Sequence, residues 1–418
     1  MKELNNFLKF ILKSKLLVLG FIIYFLFNLS AISGNHFMDY FFFGSSVHHC
    51  CQGLDFYQVP NGMYAFIHGG DLSGKLPLGI TQYSRDYLSN FNVYHPLLTI
   101  LMGGFFILFN PNLAFHLWMV IKIFITLGLV YYIYKNFKGN KYLNLAIFIF
   151  LINFSQYNEI KISQYQFLFN VFLLLLLTNL AKNKDKLESG VLFFLTLVAK
   201  PIGLLWTPVL ILKKEYFIAG LGIFLFGVST LTFNFLGIGD YFTNNLIFHL
   251  LHPVATKGID FLSLDALLRN GFGLSDQSVK YLKYLFLGLI YLLATNKKTN
   301  IIKLIFFLIV HFLFFYDLVF QYHFSALGPV LAISLLTLTE FQTKAARFLI
   351  ILISLPTVFF ILHVLGLGVY THPLYGVDPT FAGWRTVSIF QLLPILILTI
   401  IVIIPELKQL MKKKYVLL

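Results

Sequence analysis

Residues 13–33 read KSKLLVLGFIIYFLFNLSAIS, and this stretch decides the class of the fold. Lys13 and Lys15 stand before Leu16–Leu29, a run without a single charged side chain. A helix needs about 20 mostly apolar residues to cross a hydrocarbon core of about 30 Å. Leu113–Tyr134, Phe217–Phe235, Phe348–Val369 and Ile389–Ile404 are similarly apolar. Met1–Gly20 has the outline of a signal peptide, but Lys13 and Lys15 fall late and no small-residue cleavage site follows. It reads as an uncleaved first membrane helix.

Composition points the same way. The chain has 418 residues, 58% hydrophobic and 11% charged, against about 25% charged in a soluble domain. Its mean hydropathy is +0.80. This excludes a soluble enzyme. Aromatic residues make up 18%, with 49 Phe, more than interfacial belts of Trp and Tyr require, so most must face lipid or neighbouring helices. The net charge of +14 is spread in short clusters between apolar runs rather than in one stripe, which argues for topology and against nucleic acid. Cys50 and Cys51 are adjacent, and sequence neighbours rarely reach disulfide geometry.

Lys2, Lys9, Lys13 and Lys15 place the N-terminus in the cytoplasm by the positive-inside rule. The clusters Lys135/Lys138/Lys141, Lys182/Lys184/Lys186, Lys213/Lys214, Lys297/Lys298/Lys303, Lys344/Arg347 and Lys408/Lys412/Lys413/Lys414 then share that side. The polar connections Gln156–Gln166, Gly237–Lys280, Tyr316–His323 and Thr371–Arg385, and the large first loop over residues 34–95, fall outside. Two places resist simple alternation. Pro96–Asn110 is too short to cross in full before Leu113–Tyr134, so it is re-entrant or the rule fails there. Val191–Ala199 and Ile202–Leu212 are half-length runs joined by Lys200-Pro201, which predicts a hairpin with Lys200 at its tip. The expectation is an all-α polytopic membrane protein of the plasma membrane, one domain over residues 1–418, with about 11 to 13 membrane segments.

Candidate chemistry collects on the outer side. The first loop holds Asp39, His48, His49, Asp55, His68, Asp71, Arg85, Asp86 and His95. One of its carboxylates can serve as a base, although any such loop needs polar residues for solubility. His48-His49 lacks the spacing of a metal site, and no metal is expected. Gln164 and Gln166 offer amide donors and acceptors to hydroxyl-rich or phosphate ligands. Lys200 is an ammonium in apolar sequence, a costly placement that marks a functional candidate unless it snorkels to an interface. Asp317 and His323 follow a long apolar run, and Arg385 beside Trp384 suits either an anion clamp or a membrane anchor.

The motifs resemble those of a known family. Asp55-Phe-Tyr-Gln-Val-Pro-Asn-Gly-Met-Tyr-Ala-Phe-Ile-His-Gly-Gly is similar to the first-loop opening of glycosyltransferase family 87, the polyprenol-phosphate-mannose-dependent mannosyltransferases of the GT-C superfamily. Phe91-Asn-Val-Tyr94-His95-Pro96-Leu-Leu resembles that family's F-x-Y-P-P-L, and Asn112-Leu-Ala-Phe-His-Leu-Trp118 its A-x-x-L-W. Ser163-Gln164-Tyr-Gln166 stands at its G-Q-x-N, Gly190 to Pro201 resembles its stretch ending in K-P, and Asp317 to Pro329 its late His-containing region. His95 replaces a Pro, Ser163 a Gly and Gln166 an Asn, and only His323 of a late His pair is present.

The resemblance implies a GT-C-like fold and an inverting, metal-independent transfer of a sugar, mannose by family default. The donor is a polyprenyl-phosphate sugar, the acceptor a glycolipid or glycan, the site extracytoplasmic, and no cofactor is needed. Asp55 is then the general base, His323, Lys200 and Arg385 hold the donor phosphate, and Tyr94, His95, Gln164, Gln166 and Asp317 line the sugar and acceptor region. A transporter or flippase of a lipid-linked or anionic substrate is the alternative, which the lack of paired repeats disfavours.

Overall fold

A computed structural model describes residues 2–34, 53, 55–74, 92–251, 262–316, 319–356 and 382–416. Among them all regular structure is helical and no strand occurs. Five helices are long and apolar enough to cross a membrane: Lys15–Ser33, Pro111–Phe137, Tyr216–Phe235, Asp276–Thr295 and Ser388–Met411.

The helices begin where the sequence supplies capping oxygens. The Ser14 hydroxyl accepts from Leu17 N at 3.4 Å and separates α1 (Lys2–Lys13) from α2 (Lys15–Ser33). The first membrane helix expected from the sequence is thus two helices, of which the second has spanning length. After the loop helix α3 (Gln58–Ile67) comes α4 (Pro96–Phe106), and α5 (Pro111–Phe137) starts with the Asn110 carboxamide accepting from Leu113 N at 2.9 Å. There follow α6 (Leu143–Ile152), α7 (Ser155–Ile162), α8 (Gln166–Lys182), α9 (Lys186–Ala199), α10 (Pro201–Leu212) and α11 (Tyr216–Phe235). The chain continues through α12 (Asp240–Leu251), α13 (Asp276–Thr295), α14 (Ile301–Phe315), α15 (Leu327–Thr337), α16 (Lys344–Ser354) and α17 (Ala382–Val416).

The centre of the bundle is built from short helices. In α14 every side chain from Ile302 to Phe315 is buried, and α15 is buried from Leu327 to Leu336. Longer helices surround this core and turn apolar side chains outward: Leu231 on α11, Leu285 on α13 and Phe224 are more than half exposed. Such a surface suits hydrocarbon and not water. Among the described residues fewer helices have spanning length than the roughly 11 to 13 segments expected, because several apolar runs are cut short by proline or polar turns; the expected span Phe348–Val369 runs past Pro356 beyond the described residues. At 1.5 Å per residue an 11-residue helix reaches only about 16 Å.

Both places that resisted alternation are short helices in the structure. α4 packs on the loop helix α3. A Cβ at Gly103 would lie 2.8 Å from the Val59 carbonyl oxygen and Met63 Cβ, so only glycine allows that contact. α9 and α10 form the expected hairpin. Lys200 takes an extended conformation (φ −157°, ψ 113°) at its tip, and the Lys186–Glu215 ion pair at 3.2 Å closes its base.

The basic clusters gather at one end of the bundle. The Tyr131 hydroxyl donates to Glu3 at 3.1 Å, and Lys184 Nζ donates to the Tyr132 hydroxyl at 3.0 Å. Lys182 lies over the Phe137 ring and Arg347 over the Tyr142 ring. Lys213 Nζ donates to the Asn296 carbonyl at 2.6 Å, and Lys303 bridges Glu340 (2.7 Å) and Glu406. Of the first loop, Asp39, His48, His49, Cys50, Cys51, Arg85 and Asp86 lie outside the described residues, as do Asp317 and Thr371–Phe381.

Candidate functional site

The site is assembled around the C-terminus of α7. Ser163 follows that helix in the left-handed region (φ 58°), its hydroxyl donating to the Ile160 carbonyl at 2.7 Å and lying 3.2 Å from Met119 Sδ. This tight turn frees the Ile162 carbonyl, which accepts the Asp55 backbone N–H at 3.3 Å, and then delivers Gln164, Tyr165 and Gln166. The Asp55 backbone is therefore tied to the same turn that presents the two glutamines.

The Asp55 carboxylate accepts from Gln58 Nε2 at 2.8 Å and from the Gln164 side chain. Burial pushes its pKa up to about 6, against the lowering effects of the Gln164 hydrogen bond, the Lys200 charge and the Gln58 hydrogen bond. Gln164 Nε2 also donates to the Tyr322 hydroxyl at 2.6 Å. From the hairpin tip, Lys200 Nζ donates to Gln166 Oε1 at 2.6 Å and lies 5.4 Å from the Phe312 ring centroid and 6.0 Å from that of Tyr322. Gln166 passes the connection on through Asn170 (3.0 Å) to the Ser325 hydroxyl (2.8 Å).

His323 lies in the turn Gln321–Ala326, its ring centroid 4.3 Å from that of Tyr322 and 5.4 Å from that of Phe312. Its Nδ1 accepts the Phe320 N–H at 3.0 Å, so a neutral ring carries its proton on Nε2, where it is a donor. Four separate parts of the chain thus meet: the loop before α3, the turn after α7, the hairpin tip, and the turn before α15.

Among the other residues singled out in the sequence, Tyr94 meets Tyr165 edge-on at 5.2 Å, its hydroxyl bonds the Tyr165 backbone, and it feels the Asp55 charge. His95 has a different environment. Its Nδ1 accepts Leu97 N at 3.1 Å as the cap of α4, its Nε2 meets the Thr230 hydroxyl at 3.2 Å, and Phe226, Phe233 and Phe242 surround the ring. Arg385 falls within α17, but its side chain lies outside what is described; Asp317 lies outside the described residues. His68 is bound to the Tyr64 carbonyl at 2.8 Å and stacks on that ring, and Asp71 holds the Ser73 N–H at 2.9 Å. Among the described residues no group of three His, Cys, Asp or Glu comes together.

Sequence reasoning missed the support beneath the site. Lys122, in the middle of α5, forms an ion pair with Glu159 of α7 at 2.9 Å, with both side chains 1% exposed. Its ammonium lies 5.1 Å from the Trp118 ring and 5.6 Å from that of Phe167. Trp118 stacks on Tyr165, which stacks on Phe56 beside Asp55. One face of α5, through Trp118, Met119 and Lys122, therefore holds the whole stretch from Glu159 to Tyr165. The available signal was a lone lysine inside an otherwise apolar span. No protein-family model and no curated protein matches the chain.

Proposed function

We propose that the chain is an integral-membrane glycosyltransferase that moves a sugar from a polyprenyl-phosphate donor to a glycolipid or glycan acceptor at the external face of the plasma membrane. One observation carries the reading: a partly buried carboxylate with a raised pKa, Asp55, shares a site with an ammonium, Lys200, and an Nε2 donor, His323, through the Gln164–Tyr322 and Gln166 contacts.

In this reading Asp55 takes the proton of the acceptor hydroxyl as its oxygen attacks the anomeric carbon. The bond from that carbon to the phosphate oxygen breaks with inversion, and polyprenyl phosphate leaves with the electron pair. The phosphate departs without protonation, so one carboxylate on the acceptor side is enough. Lys200 and His323 offset the charge that grows on the leaving oxygens. Gln164, Gln166 and Tyr94 supply donors and acceptors for sugar hydroxyls. The basic end of the bundle faces the cytoplasm, and the donor's tail remains in the bilayer.

The test is to incubate membranes holding the chain with polyprenyl-phosphate-mannose and sequence any glycan formed. A new glycosidic bond that Asp55→Asn abolishes, with membrane insertion unchanged, supports the reading. Wild-type turnover by Asp55→Asn removes Asp55 as base. Movement of the intact donor across vesicles without a new bond supports a transporter instead.

A further inference from the structure

α1 divides into three sectors that a buried helix would not need. Phe7 and Phe10 turn inward and pack on Tyr131 and Tyr134 of α5 at 4.8–5.2 Å, and Glu3 accepts from the Tyr131 hydroxyl. Leu4, Leu8 and Leu12, spaced by four, form a second strip that is 55%, 48% and 75% exposed. Lys2, Lys9 and Lys13 share the third sector, and Lys15 follows across the break at Ser14. Below that break an apolar groove runs from Ile11 and Leu12 down one face of α2 past Val18, Ile22, Phe25 and Leu29.

A helix with one face fixed to the bundle, one strip of leucines and one arc of lysines lies in the plane of a membrane interface. We propose that α1 and this face of α2 form a binding site for an anionic phospholipid, with an acyl chain in the groove and the phosphate headgroup at Lys9, Lys13 and Lys15. Charge selects the occupant. Lys13 directly follows Leu12 at the groove's upper end, Lys15 opens α2 just past the break, and the one acid of α1, Glu3, is engaged by Tyr131 of α5. A zwitterionic headgroup offers no net charge to that arc. Each lysine near an anionic surface contributes about a fivefold gain in affinity, so the three together give about a hundredfold preference.

The full chain, purified in detergent, is titrated with phosphatidylglycerol and with phosphatidylcholine of the same acyl chains, and bound lipid is counted by native mass spectrometry. The site requires phosphatidylglycerol to be retained at about a hundredfold lower concentration than phosphatidylcholine. It requires Lys9→Gln/Lys13→Gln/Lys15→Gln to lose that preference while melting as the wild type does. Val18→Trp, which fills the groove, lowers retention of both lipids and shows that the chain is seated there. Equal retention of the two lipids by the wild type overturns the proposal, as does undiminished selectivity in the triple variant. Glycerophosphoglycerol, which has no acyl chains, leaves phosphatidylglycerol bound; if it displaces the lipid at equal concentration, the groove has no part and the site as proposed fails.

Discussion

The Lys122–Glu159 pair sets a sharp test of how the site is held. At 2.9 Å and an effective dielectric constant of about 20, the attraction between the two charges is about 6 kcal/mol, and it offsets the desolvation of both. Removing one partner leaves the other charge buried in the bundle at a cost of about 3–5 kcal/mol. Lys122→Met fills a similar volume, so its loss is mainly electrostatic. Unfolding entropy of about 2.1 cal/mol/K per residue over 418 residues converts 4 kcal/mol into a fall in melting temperature on the order of 5 °C. Glu159→Met should fall by a similar amount. The double variant Lys122→Met/Glu159→Met should recover most of it, because an apolar pair of like volume replaces a buried ion pair at little cost. Thermal unfolding of the four proteins in one detergent gives the coupling energy directly. If the two single losses simply add in the double variant, the charges do not act as a pair and α7 is not anchored as described.

Further predictions follow from the groups around Asp55. Because burial raises the folded pKa of Asp55 to about 6, above the ordinary carboxylate value of about 3.9, Asp55 lowers stability as pH rises through that interval, so Asp55→Asn should melt higher than the wild type at pH 7 but not at pH 3.5. With Asp55 as the proposed base, kcat/KM should rise with pH up to about 6 and level off above it, measured as a pH–rate profile. Lys200→Gln should raise the KM for the lipid-phosphate donor by roughly 10- to 100-fold, the worth of a hydrogen bond to a charged group, and Lys200→Arg should recover part of it. On the proposed reading His323→Phe should lower kcat by about a hundredfold, through loss of the Nε2 donor to the leaving phosphate, and lower the melting temperature by a few degrees, since the Phe320 N–H loses its acceptor.

The membrane class and the hairpin were legible because each rests on a local signal. Pro201 stops a helix whatever surrounds it, and lysines flank both legs, so the sequence placed Lys200 at a tip before any packing was known. Gln164, Lys200 and His323 stand out for their own chemistry, an amide, a charge in apolar sequence and an imidazole, and the basic clusters then place all three at the opposite face. Lys122 stayed hidden because one charge disappears within a long apolar run, and its partner Glu159 is 37 positions away. Tyr322 carried no signal at all, since a tyrosine beside a membrane face is ordinary. The break at Ser14 was missed for a further reason: the apolar strip of α1 continues into α2, and only the change from one-sided to all-round apolarity separates an interfacial helix from a spanning one.

The most direct measurement uses the purified chain in proteoliposomes with a polyprenyl-phosphate sugar of known anomeric configuration and a lipid-linked acceptor. The account predicts that one polyprenyl phosphate is released for each glycosidic bond formed, that NMR shows the product inverted at the anomeric carbon, and that Asp55→Asn yields neither. Retention of configuration, or intact donor reaching the opposite leaflet with no bond made, would contradict it.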